Sequence, residues 1–294
     1  MHQPMPIIIG APRSGTTLLR FILDSHPEMA IPPETGFLAL GPHFTHVGDD
    51  LIGEFLRKIV NYPPEAPAWN DFQIPEEQFH RKLMNLDPFS VSEGFRVFYQ
   101  MYAARFNKSR WGDKTPAYCF NMTKIEAVLP EAHFIHLIRD GRDVALSLRR
   151  MWFSPGWDIE TQAKHWSSFI IAARRGSYYC RHYMEVRYED LILNMQETSK
   201  KICEFTGLGF DPAMLRYYER APLRLMEHKG RKRPDGSLFL TDQQRIHQQL
   251  KTTEPPDSGY VYRWRTEMSK VDRSGFENTA GRLLRDLGYE TMQS

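Results

Sequence analysis

The chain has 294 residues, 41% hydrophobic and 13% aromatic, with a net charge of +2. That is enough for a sizeable core, and the near-balanced charge argues against a general polyanion binder, so no nucleic-acid partner is expected. Three cysteines, Cys119, Cys180 and Cys203, stand at unpaired spacings, which excludes a disulfide framework and a zinc site and reads as reduced thiols.

Residues 6–9, Pro-Ile-Ile-Ile, predict a short and fully buried strand. The stretch before it has no basic segment leading into a long apolar one. No run anywhere reaches the roughly 18 apolar residues of a membrane helix. A soluble, cytoplasmic protein is expected, and a homodimer is compatible with the chain. Gly10 to Gly15 follow as a loop, and the apolar pattern from Thr16 to Leu23 opens a helix that His26-Pro27 ends. Residues 29–31 predict a second short strand before Pro32-Pro33. Residues 50–107 read as a helical, aromatic insertion where a lid or acceptor pocket would lie. Within it, the helical spacing of Phe95, Phe98, Tyr99, Tyr102 and Phe106 favours core.

RWGDKTP (110–116) reads as a strand end or tight loop, with a helix over about 121–129. HFIHLI (133–138) predicts a buried strand of an α/β sheet. RDGRD then turns into a further helix. A long helical pattern covers 157–182, a strand 184–187 and a helix about 191–206. Residues 222–266 form a basic, polar excursion over the surface, able to cover a nucleotide, and 274–287 a last helix. Trp152, Trp157 and Trp166 sit at helical positions and read as core. His26, His133 and His136 lack metal-ligand spacing and read as structural. Strands alternating with helices predict one domain: a doubly wound, mainly parallel sheet with helices on both faces.

GAPRSGTT (10–17) joins a strand to a helix through a glycine loop. Such a junction binds anions, because free backbone N–H groups and the helix dipole point at the ligand. A nucleoside triphosphatase loop carries lysine after its second glycine; here that position is Thr16, and the positive charge comes from Arg13. HFIHLI runs into Arg139, not into the acidic residue that completes a magnesium site. No metal is therefore expected. Parallel strands present their carboxyl ends on one edge, so Arg139 should face the crevice that the first loop faces, and one ligand with two separated anionic groups would satisfy both.

PRSGTTLL resembles the 5′-phosphosulfate loop of the sulfotransferase superfamily, and RDGRDVALS (139–147) resembles its 3′-phosphate motif. PPETGF (32–37), WGDKTP (111–116) and VRYEDL (186–191) are similar to further segments of the tyrosylprotein and bacterial branch, with a fainter likeness at 262–269. The order is the family's. The resemblance implies a P-loop-like phosphate site and 3′-phosphoadenosine-5′-phosphosulfate (PAPS) as donor, with the bisphosphate PAP as product. It implies Arg13, Ser14, Gly15, Thr16 and Thr17 on the 5′ side, Arg139 and Ser147 on the 3′-phosphate, and Tyr188 bordering the nucleotide. Glu34 would be the base and Lys114 the donor to the bridging oxygen. The acceptor would be a small molecule, a carbohydrate or a peptide tyrosine. The chain departs from the animal cytosolic members, which carry loop lysine and a histidine base. At the place of a further 3′-phosphate arginine it has Met151, with Arg149 and Arg150 close by. A P-loop kinase of small molecules and a non-catalytic nucleotide-binding protein are the competing readings.

Overall fold

A four-stranded, all-parallel sheet forms the centre of the computed structural model, which describes residues 2–44, 50–149 and 151–292. Its order is β4-β1-β5-β6, built from β1 (Met5–Ile9), β4 (Asp113–Lys114), β5 (Ala132–Ile138) and β6 (Tyr183–Arg187). The apolar runs over β1 and β5 are buried along their whole length, as strands covered on both faces must be. Side chains alternate between two cores. Ile7, Ile9, Phe134 and Ile138 face one core, together with Phe98 of α2 (Val91–Ala104), Val144 of α3 (Gly141–Leu148), Trp166 of α4 (Ile159–Ser177) and Leu284 at the C-terminal helix (Lys270–Asp286). Ile8, Ile135, Leu137 and Val186 face the other, with Leu19 and Ile22 of α1 (Thr16–Asp24) and Ile202 of the helix Met195–Thr206. The doubly wound architecture expected from the alternation is what forms.

The segment RWGDKTP makes two two-residue strands. β3 (Arg110–Trp111) pairs in parallel with β2 (Met29–Ala30), and β4 pairs with β1. The helices between 51 and 104 gather around an aromatic cluster in which Phe98 meets Phe37 and Phe72 edge-on, each at 4.9 Å. Phe95, Phe98, Tyr99 and Tyr102 are all fully buried, so their helical spacing marks core.

Three expectations are corrected. Trp152 and Trp157 are 57% and 81% exposed, because the chain leaves α3 into an irregular stretch there; of the three tryptophans only Trp166 is core. The helix expected over about 191–206 is two helices, Tyr188–Leu193, which Tyr188 opens, and Met195–Thr206. The excursion after 222 is not all surface. Arg224, Glu227 and His228 are buried, since Arg224 donates to Asp24 at 2.7 and 2.9 Å and to Glu227 at 2.6 Å, while Arg20 of α1 donates to the same Glu227 at 3.0 Å. Buried charges persist only when paired in this way. The excursion also carries a hairpin of β7 (Arg231–Lys232) and β8 (Leu238–Leu240).

Candidate active site

The loop after β1, Lys114 at the end of β4, Arg139 after β5 and Tyr188 after β6 share the carboxyl edge of the parallel sheet. Gly10 leaves β1 with φ +150, where an added Cβ would come 2.4 Å from the Leu137 carbonyl oxygen. Gly15 starts α1 at φ +95, with no side chain capping the helix, so its first-turn N–H groups are left to a ligand. Arg13 also adopts a left-handed conformation, φ 69. Ser14, Thr16 and Thr17 are buried around the turn, and the Ser14 hydroxyl has no hydrogen-bond partner in the protein. A Cβ on Gly15 would lie 2.6 Å from the Tyr188 ring. Gly15→Ala is therefore expected to destabilise the fold by about 2 kcal/mol, from left-handed strain together with overpacking. Urea unfolding of the variant checks this.

The loop meets the residues after β5 directly. The Arg13 guanidinium donates to the Ser147 hydroxyl on α3 at 3.0 Å, across 134 residues of sequence. Arg139 donates to the Arg13 carbonyl at 3.3 Å and lies over the Tyr188 ring at 4.3 Å. It also donates to Asp143 at 3.4 Å, and its Nε is buried without a partner. Tyr188 is thus both a core residue and the floor under Arg139. Burial and the neighbouring charges of Arg139 and Arg263 lower the pKa of Arg13. Three cations converge here, as at a site for a polyanion. Arg263 belongs to the basic excursion 222–266; Arg265 of the same excursion instead pairs with Glu290 at the surface, at 2.9 Å. Besides Arg263, the excursion closes on the site through backbone, since Arg13 donates to the Gln248 carbonyl at 3.1 Å and Arg139 to that of Tyr260 at 2.6 Å. Arg142 is fixed by Asp140 and Glu277, each at 2.7 Å. Arg149 is held by Asp272 at 2.9 Å, and Arg150 lies outside the described residues.

Glu34 and Lys114 come together as an ion pair of 2.5 Å. The β2–β3 pairing explains this, because it runs the stretch after Ala30 alongside the stretch after Trp111. The two are then fastened on both sides of the pair. The Thr35 hydroxyl donates to Asp113 at 2.6 Å, and the Thr35 N–H to the Thr115 hydroxyl at 3.2 Å. Tyr99 and Thr115 also donate to the buried Asp113, at 2.7 and 2.8 Å. Asp113 is thus a hub that positions Glu34 and is not the partner of Lys114. Sequence reasoning missed this role of Asp113, Thr35 and Tyr99, although two of them flank the candidate residues inside the quoted motifs. Lys114 is 2% exposed, whereas Glu34 keeps 48% of its side chain in solvent. Burial lowers the pKa of the Lys114 ammonium, with Glu34 opposing. Burial would raise the Glu34 carboxyl, but the Lys114 charge and hydrogen bond, with help from Arg231 and Arg245, outweigh it and hold the carboxyl below its ordinary range. The pair combines an ionised carboxylate open to a substrate with an enclosed cation.

Comparison with known proteins gives the family and the fold. The model of the sulfotransferase family matches residues 4–212. The nodulation protein NoeE of Sinorhizobium fredii is 27% identical over 98% of this chain and 67% of its own length. Protein-tyrosine sulfotransferase A of Caenorhabditis elegans is 25% identical over 73% of the chain and 53% of its own. Among solved structures, the sulfotransferase domain of the curacin biosynthetic pathway superposes with a TM-score of 0.60 at 17% identity, covering 99% of both chains. A mouse sulfotransferase complexed with PAP gives 0.50 at 13% identity over 98% of this chain and 88% of that one. The chain thus spans between half and two thirds of the two relatives matched by sequence.

Proposed function

The chain belongs to the sulfotransferase family, and from that premise we propose that it moves the sulfuryl group of PAPS to an acceptor hydroxyl by in-line displacement, with Glu34 as base. The observation that carries the reading is the convergence of Arg13, Arg139 and Ser147 on one crevice, at the end of β1, whose neighbour β4 carries the Lys114 that pairs with Glu34. The residues suit the donor. The uncapped start of α1 and the unmatched Ser14 hydroxyl offer hydrogen bonds on the 5′ side, while the forked guanidinium of Arg139 and the Ser147 hydroxyl offer them on the 3′-phosphate side. A related mouse enzyme holds PAP.

PAPS supplies the transferable sulfuryl group and a phosphate leaving group. Glu34, already ionised and solvent-facing, takes the proton from the acceptor hydroxyl. Lys114, enclosed and charged, donates a hydrogen bond to the bridging oxygen and so steadies the charge left on the phosphate. The Asp113 hub keeps both groups in register. Transfer without a metal follows from this set of roles. Three free cysteines, and described residues with no helix long and apolar enough to cross a membrane, support a cytoplasmic placement.

The test is calorimetric titration with PAP in a chelator, beside ATP with magnesium. Micromolar binding of PAP in the chelator is expected, with sulfate transfer from PAPS surviving it. Preference for ATP with magnesium would return the loop to the kinases.

A further inference from the structure

Beyond Glu34 the crevice carries charge that neither the donor roles nor the Lys114 pair uses. Asp71, buried beside the aromatic cluster, collects Arg245 through both carboxylate oxygens at 2.6 and 2.7 Å, and the Lys229 N–H at 3.0 Å. Little acceptor capacity remains for Arg231, which reaches the same carboxylate only at 3.3 Å. The Arg231 Nε is buried with no partner. Arg231 and Arg245 lie near enough to Glu34 that both charges act on its carboxyl. Lys114 already neutralises Glu34, and Asp71 neutralises Arg245, so Arg231 is the cation in surplus. It stands at the root of the β7–β8 hairpin, opposite Leu240. The other strand of that hairpin sets Phe239 against the exposed Trp152, 5.6 Å between rings, beyond α3. The hairpin therefore reaches from Asp71, on the Glu34 side, toward the helix that bears Ser147.

We propose that Arg231, at the root of this hairpin and held with Arg245 on Asp71, binds an anionic group of the acceptor, so that the enzyme prefers hydroxyl compounds that already carry an acid group. The inference rests on the sulfotransferase reading and names the acceptor class that reading leaves open. A charge-assisted bond in a water-poor recess needs an anionic partner, and a neutral acceptor would leave the guanidinium under-satisfied. The negative charge would be placed beside the base without touching Glu34, which Lys114 shields.

The experiment uses the full chain saturated with PAP and titrates matched pairs by calorimetry: 4-hydroxybenzoate against 4-hydroxybenzyl alcohol, glucuronate against glucose, and the C-terminally amidated dipeptide Tyr-Glu against amidated Tyr-Gln. In at least one pair the anionic member is expected to bind roughly tenfold tighter or more, the scale of one hydrogen bond to a charged group. Arg231→Gln should bring that ratio close to one, with PAP affinity within about twofold of the parent. Arg231→Lys, which keeps charge without the fork, should keep part of the preference. Equal binding, or none, of both members in all three pairs would overturn the proposal, as would a preference that survives Arg231→Gln. Failure of the parent protein to bind PAP would instead overturn the donor reading, so the two failures are separable.

Discussion

Glutamine in place of Glu34 is expected to lower kcat by about a hundredfold to ten-thousandfold, with PAP affinity within about twofold of the parent protein. The substitution keeps the shape and the hydrogen bond to Lys114 but removes the proton acceptor. The pH profile gives a second readout. A carboxylate base works above its pKa, and that of Glu34 is held below the ordinary range, so kcat/KM should stay level from neutrality into mildly acid solution. Lys114 works while protonated, below its pKa, which burial lowers from 10.5. Activity should therefore fall as pH rises, earlier than a free lysine would allow. Initial rates between about pH 5 and about pH 10 check both limbs. In Lys114→Arg the alkaline limb should move upward, and a limb that stayed in place would remove the lysine from the chemistry.

Arg139→Ala is expected to weaken PAP binding by roughly a hundredfold or more, since two charge-assisted hydrogen bonds of about 1.5–3 kcal/mol each would be lost. Loss of the side chain uncovers Tyr188 and leaves Asp143 with the Trp264 N–H but not the Arg139 guanidinium, so some loss of melting temperature should accompany the effect. Arg139→Lys restores the charge but not the fork, and it should recover only part of the affinity. Ser147→Ala removes one neutral donor and should cost about tenfold or less. An Arg139→Ala protein that binds PAP as the parent does would show that the 3′-phosphate lies elsewhere.

The sheet was legible because β1 and β5 are continuous apolar runs, and a strand buried on both faces can hardly be written otherwise. The glycine loop was legible as a strand-to-helix junction, because Gly10 and Gly15 stand where the chain leaves β1 and enters α1 with positive φ. The pairing of Glu34 with Lys114 was not. It depends on β2 and β3, two residues each, too short to show any period. The burial of Arg224 and Glu227 was equally hidden, because their partners Asp24 and Arg20 lie some 200 positions away and a basic run looks solvated until its counter-charges are placed. The carbonyls of Gln248 and Tyr260 carry no side-chain signature at all, so nothing in the residue types could announce their contact with Arg13 and Arg139.

The strand order β4-β1-β5-β6 has a consequence for how such an enzyme can diversify. Lys114 ends β4, while the Gly10–Thr17 loop, Arg139 and Tyr188 follow the neighbouring strands β1, β5 and β6, and neighbours are about 4.8 Å apart. The sheet therefore acts as a ruler of roughly 14 Å, a span set by strand pairing and not by the length of chain between strands. Asp71, Arg231 and Arg245 come from connections off that ruler. Those connections can lengthen, shorten or exchange residues while the graduations stay fixed. If the proposed donor and acceptor assignments hold, one end of the crevice is a constant gauge for the donor, and the other is free to be recut for a new acceptor.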